Sequence, residues 1–232
     1  MSVAVVADAH LGGPGGSAEP LVAQLIGLPE RGCQRLVLLG DLFQAWVGSK
    51  KYETEDIGVV LETLSKLRDQ GIRIDYVEGN RDFFIGTGPY SEYFDTVATE
   101  VSFEVAGRRY LAVHGDGLND RDRQYLFWRW LSKSALSRFF MLNLPAPLAQ
   151  KLVGVTESQL GKTNFRHKSK IPEDAIRQYA SRRFKEGFDV LLLGHFHEPR
   201  QWHEAEGEIQ LLDAWFRSHR VEWYQSGIPR GS

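Results

Sequence analysis

Val3-Ala4-Val5-Val6-Ala7-Asp8-Ala9-His10 is an apolar run that stops on two metal-binding residue types. Four later stretches share the design. Arg35-Leu36-Val37-Leu38-Leu39 ends at Gly40-Asp41, and the run from Arg73 to Glu78 ends at Gly79-Asn80-Arg81-Asp82. Arg109-Tyr110-Leu111-Ala112-Val113 ends at His114-Gly115-Asp116, and Asp189-Val190-Leu191-Leu192-Leu193 at Gly194-His195-Phe196-His197. Short continuous apolar runs bounded by glycine read as buried strands. In an open α/β sheet, ligands gather in the crevice beyond the carboxyl ends of the strands. Five such ends bring two Asp, one Asn and four His together. Oxygen and nitrogen donors without a thiolate suit Mn²⁺, Fe or Zn²⁺ with open coordination positions. The pattern points to a two-metal phosphoesterase.

The spacing has a physical basis. Side chains two apart on a strand share a face, so Asp8 with His10, and His195 with His197, can grip an ion together. Asp41 carries two carboxylate oxygens and can bridge two ions. Gly40, Gly79, Gly115 and Gly194 let the chain turn sharply at the strand ends. Asn80 offers a neutral oxygen, which leaves positive charge for an anionic substrate. Arg81 can pair with phosphate oxygens. Asn80, Arg81 and His114 are the residues expected closest to the chemistry. Asp82 and Asp116 read as acceptors that orient ligands; His167, His203 and His219 fit no motif.

The ordered set Asp8-x-His10, Gly40-Asp41, Gly79-Asn80-Arg81-Asp82, His114-Gly115-Asp116 and Gly194-His195-x-His197 resembles the calcineurin-like metallophosphoesterases over residues 8 to 197. Phe83, Ile85-Gly86 and the segment from His114 through Asp120, Asp122 and Tyr125 are similar to the UDP-2,3-diacylglucosamine hydrolases of that group. The resemblance implies that Asp8, His10 and His197 hold one divalent ion, that Asn80, His114 and His195 hold the other, and that Asp41 bridges them. Mn²⁺ is the foremost candidate, with Fe or Zn²⁺ as alternatives. It also implies an α/β fold, a two-sheet αββα sandwich with a helical cap insertion. Residues 1–119 and 187–226 would form the core and 120–186 the cap. The implied substrate is an acylated nucleotide-sugar, contacted by Arg81, Asp120, Tyr125, Lys162, Asn164 and Lys168. The run around Lys162, Asn164 and Lys168 matches only loosely, and Phe216 follows Trp215 where a His is expected.

Composition sets further bounds. A chain of 232 residues suffices for one domain, alone or with an insertion. The single cysteine, Cys33, rules out an internal disulfide framework and suits a reducing compartment. No signal-peptide pattern precedes the first strand and no apolar run is long enough to cross a bilayer. The expectation is a cytoplasmic monomer, soluble or in peripheral contact with the cytoplasmic face of the inner membrane. The terminal Gly227–Ser232 is read as standing outside the fold. The net charge of −2 hides an asymmetry: residues 121–185 carry 14 Lys and Arg against 4 Asp and Glu. Such a segment suggests a module facing an anion, or a solvated basic helical surface.

Three helices are expected in that segment, near 121–141, 145–161 and 172–186. The first is crowded with Phe127, Trp128, Trp130, Leu131, Phe139 and Phe140, too wide an arc for one docking stripe. The extra face calls for acyl chains, a membrane interface or other cap helices. Elsewhere a helix is expected near 18–28. Another, capped by Thr54, should run to Gln70 and stop at Gly71. A hairpin should turn at Ala106-Gly107, and strands are expected near 189–193, 208–213 and 219–224. Two close-set ions activate water and stabilise the attacking and leaving oxygens of an in-line displacement. The leading expectation is cleavage of a pyrophosphate to UMP and an acylated sugar 1-phosphate. Alternatives are a general phosphodiesterase or nuclease, a phosphomonoesterase, and a non-enzymatic binding module. The apolar load of the cap weighs against nucleic acid, and the complete set of seven ligands against the binding module.

Overall fold

All five apolar runs are strands: β1 (Ser2–Val6), β2 (Arg35–Leu38), β4 (Arg73–Val77), β8 (Arg108–Val113) and β9 (Val190–Leu193). The computed structural model describes residues 1–12, 16–119, 122–145, 147–148 and 171–225. One sheet has the order β12-β1-β2-β4-β6, with β6 at Thr96–Ala98 and β12 at Glu222–Gln225. It is parallel except for β12. The second has the order β10-β11-β9-β8-β7, where β7 is Glu100–Val105, β10 is Arg200–His203 and β11 is Glu208–Leu211. Its three central strands are parallel and its two edges antiparallel. A small ribbon pairs β3 (Trp46–Val47) with β5 (Asp82–Phe83).

Alternation along the strands builds four layers. Val3, Val5 and Val37 of the first sheet meet Tyr110, Val190 and Leu192 of the second, filling the space between them. Ala4, Val6, Leu36 and Leu38 point the other way, toward Leu21 and Leu25 of α1 (Glu19–Ile26) and Val60 and Leu64 of α2 (Glu55–Asp69). Leu111, Leu191 and Leu193 meet Ile176, Ala180 and Phe184 of α5 (Glu173–Lys185) on the far side. Strands covered on both faces need apolar side chains of both parities, hence the continuous runs. The expected αββα architecture is the observed one.

Local signals hold as well. Thr54 accepts the Ile57 N–H at the start of α2, and Gly71 follows its end at φ +85°. Ala106 and Gly107 turn the β7–β8 hairpin with φ +53° and +75°, the two left-handed residues of a type I′ turn. Edge strand β10 escaped the sequence reading because Arg200-Gln201-Trp202-His203 is polar, as suits a solvent-facing edge.

Between β8 and β9 the structure departs from the expectation. The single helix expected over 121–141 is two, α3 (Arg123–Ser132) and α4 (Ala135–Asn143). Ser134 breaks the run: its hydroxyl accepts the Ser137 N–H and starts α4 afresh. The third helix of the expected cap, α5, packs on the second sheet as its outer layer, so it serves the core. The helix expected over 145–161, apart from residues 145, 147 and 148, lies outside the described residues, as do Asp120, Lys162, Asn164, His167, Lys168 and the Gly227–Ser232 tail. Among the described residues no helix is long and apolar enough to cross a membrane.

Candidate metal centre

Five of the seven expected ligands sit in left-handed backbone conformations: Asp8 (φ +50°), His10 (+47°), Asp41 (+51°), His195 (+68°) and His197 (+56°). L-residues with a Cβ disfavour this region at about 1–3 kcal/mol each, and such residues gather at functional sites. The turns are made by the ligands themselves. Of the four glycines expected to make them, Gly40 (φ +78°) and Gly115 (φ +103°) are left-handed. Gly79 instead provides room, since a Cβ there would collide with Asp41 Oδ1.

One set of donors lies close together. His197 Nε2 is 3.0 Å from Asp8 Oδ1 and 3.1 Å from His10 Nε2. The Asp8, His10 and His197 donors fall within 4.8 Å of one another, and so do those of Asp8, Asp41 and His114. Asn80 Oδ1 lies 3.2 Å from His114 Nε2. The His195 ring meets the His114 ring edge-on at 5.2 Å, and the His195 N–H donates to Asp8 Oδ2 at 2.7 Å. Asp41 joins the two halves: its Oδ2 is 4.0 Å from His10 Nε2 and 3.6 Å from His114 Nε2. All seven residues are thus brought to one place.

The donors fit a pair of divalent cations. Asp41 Oδ2 is buried in the cluster and accepts no hydrogen bond among the described residues, a costly state unless a ligand compensates it. His114 Nδ1 donates to the Leu39 carbonyl at 3.0 Å, which turns Nε2 toward Asp41. The charges bear on this. Burial would raise the Asp8 and Asp41 carboxyls, yet the surrounding imidazoles hold both well below the usual carboxylate range. Burial and Arg81 press His10 down to about 3, against the pull of the aspartates, so it is a neutral donor. Burial opposes protonation of His114 too, but Asp41, Asp8 and Asp116 push it up to about 10.

Around the ligands, Asp82 Oδ2 accepts the N–H groups of Asp41 (2.9 Å) and Gly79 (2.7 Å), tying two ligand loops together. Arg81 is buried: its guanidinium bonds the Gln44 side chain and carbonyl, with Nε 3.6 Å from Asp41 Oδ2. Asp116 receives the Tyr125 hydroxyl at 3.2 Å and the Arg129 guanidinium. Lys133 Nζ reaches the Gly79 carbonyl at 2.7 Å. Tyr125, Arg129 and Lys133 are four residues apart and so lie along one side of α3. Arg129 and Lys133 were missed in the sequence; their spacing from Tyr125 was the available signal. Asp122 caps α3 by accepting the Tyr125 N–H. His203 and His219 lie away from the site and exposed, His219 stacked on Trp215.

The model of the calcineurin-like phosphoesterase family matches residues 1–199. The chain belongs to this family. A UDP-2,3-diacylglucosamine hydrolase of Ralstonia nicotianae is 29% identical over 98% of this chain and 86% of its own length. One of Pseudomonas entomophila is 31% identical over 73% of this chain and 70% of its own length. A dimetal phosphatase from Danio rerio superposes with a TM-score of 0.52 at 13% identity, covering 97% of this chain and 92% of that one. That last likeness is one of fold. The chain is a metal-dependent hydrolase of the phosphoesterase class, and its Asp and His clusters can hold the metal.

Proposed function

We propose that this hydrolase cleaves the pyrophosphate of UDP-2,3-diacylglucosamine to UMP and 2,3-diacylglucosamine 1-phosphate, a step of lipid A synthesis. The observation that carries the proposal is an apolar helical surface bolted directly to the metal loops. α3 is held to the His114 and Asn80 loops through Asp116 and Gly79. The carbonyls of Met141, Leu142 and Leu144, closing α4, receive Tyr52 and Lys51. Yet Trp128, Trp130, Phe139 and Phe140 remain 58–66% exposed. Soluble proteins rarely leave such a patch without use. Acyl chains are a fitting occupant, and the names of the relatives support that reading. The same aromatics beside basic residues suit peripheral contact with the cytoplasmic face of the inner membrane.

Two bound divalent ions, Mn²⁺ in this proposal, would supply an activated water and charge neutralisation at phosphorus. Asp8, His10, His197, Asp41, Asn80, His114 and His195 would hold them. Arg81 adds a fixed positive charge beside Asp41 for the phosphate oxygens. Tyr125 stands where α3 meets the site, with Asp120, Lys162, Asn164 and Lys168 as the further substrate contacts. The cap in this reading comprises α3, α4 and the residues that follow them.

The test replaces Trp128 or Phe139 by Ala and compares kcat/KM on the acylated nucleotide-sugar and on a small chromogenic phosphodiester. Burying one large apolar side chain against a ligand contributes about 1.5–3 kcal/mol. Lipid-substrate use should therefore fall by about tenfold to a hundredfold, with the diester untouched. Equal losses on both substrates, or none, would sink the acyl-binding surface. The nuclease alternative uses the basic charge of the insertion but leaves its aromatics without a role.

A further inference from the structure

The short helix α6 (Trp215–Ser218) touches the Asp8, His10 and His197 cluster. The Trp215 N–H donates to the Ala7 carbonyl at 2.8 Å and the Phe216 N–H to the Asp8 carbonyl at 3.4 Å. The Arg217 guanidinium donates to the His197 carbonyl at 2.8 Å. The Phe216 ring stands edge-on to both imidazoles, 5.3 Å from His10 and 5.1 Å from His197. On its other side the helix is fixed to α1: the Trp215 indole donates to Gln24 Oε1 at 2.8 Å, and Gln24 Nε2 donates to the His219 carbonyl at 2.8 Å.

These contacts converge on three ligands whose left-handed backbones need an external hold. An apolar ring packed against two touching imidazoles limits their rotation without offering a competing donor or acceptor. We infer that α6 is a positioning element for the ion held by Asp8, His10 and His197, with Phe216 as the buttress against both imidazoles and Arg217 as the tether of the His197 loop. Phe216 stands where the family resemblance leads one to expect a His, so the buttress is a feature of this chain's own sequence. The inference rests on the dimetal reading of the site.

The experiment titrates the metal-free protein with Mn²⁺ and follows the two binding steps by calorimetry and by the paramagnetic resonance of free Mn²⁺. Groups that orient metal ligands are each worth about 10- to 100-fold in metal affinity. Phe216→Ala should weaken one of the two ions on that scale and leave the other unchanged. Phe216→Tyr, which keeps the ring, should restore it, and Arg217→Met should weaken the same ion. The thermal midpoint of the metal-free Phe216→Ala protein should stay close to that of the unmodified chain. Unchanged affinity at both steps in Phe216→Ala would overturn the inference. So would an equal weakening of both steps together with a lowered midpoint, which marks general loss of structure. An unmodified chain that binds fewer than two ions would overturn the dimetal reading itself, before any variant is compared.

Discussion

Replacing Asp82 by Ala removes a carboxylate that ties the Asp41 loop to the Gly79-Asn80 loop. Asp82 is fully buried, and its Oδ2 accepts the N–H groups of Asp41 and Gly79. Without it both donors lose their acceptor in a site that solvent does not reach. Each buried unsatisfied donor costs about 1–3 kcal/mol, so the expected loss is about 2–6 kcal/mol. That is a large share of the roughly 5–15 kcal/mol that holds a domain folded. The same change frees the backbone of Asp41 and the residue before Asn80, and Mn²⁺ affinity should fall by about 10- to 100-fold. Asp82→Asn is the control. Burial and the Asp41 carboxylate push the Asp82 carboxyl up to about 7 in the metal-free protein, so a neutral acceptor of the same shape is a close substitute. Urea unfolding of the chelator-treated proteins, followed by Mn²⁺ titration, reads both effects. A cost below about 1 kcal/mol for Asp82→Ala would refute the reasoning, because two buried N–H groups cannot be abandoned so cheaply.

Asp41→Ala should abolish hydrolysis and reduce bound metal to one ion or none, since a single oxygen of Asp41, Oδ2, lies within 4.0 Å of His10 and 3.6 Å of His114; elemental analysis finding two ions per chain would contradict the bridging role. Arg81→Ala should keep both ions and slow turnover by about 10² to 10³, the scale of one lost charge-stabilising donor; a near-normal rate would confine Arg81 to its contacts with Gln44 and Asp41. His114, pushed up to about 10 without metal, is protonated at neutral pH and must lose that proton to ligate. Metal binding should therefore tighten as pH rises from 7 toward 10 and release a proton, measurable by calorimetry in buffers of different ionisation enthalpy. The raised value also makes His114 stabilise the metal-free fold fully below its ordinary value of 6.5, with that contribution lost as pH climbs through about 10; a metal-free melting profile free of this decline would speak against it.

The strands were legible because strands covered on both faces must be apolar throughout, and the five runs end in Asp, Asn or His; their arrangement in two sheets came from the family resemblance. What the sequence could not display is backbone strain. Nothing in the letters distinguishes a left-handed Asp8 or His197 from an extended one; the conformation is imposed by neighbours such as Asp82 and α6, far away in the chain. The break at Ser134 was visible as a capping residue but hidden under the apolar excess on either side of it. α5 was read as part of the cap by position, whereas Ile176, Ala180 and Phe184 form a stripe that only a sheet face explains. Arg129 and Lys133 escaped for a similar reason: a basic residue on a basic helix gains meaning only when the acceptor, Asp116 or the Gly79 carbonyl, is seen beneath it.

The central claim is that a two-metal centre acts on a lipid-linked pyrophosphate presented by the apolar surface of α3 and α4. Its most direct measurement incubates the Mn²⁺-loaded chain with UDP-2,3-diacylglucosamine and identifies the products by mass spectrometry. The account predicts UMP and 2,3-diacylglucosamine 1-phosphate in equal amounts, with no turnover after chelation. Intact substrate beside brisk hydrolysis of a small phosphodiester would contradict it, leaving the metal chemistry standing and removing the lipid.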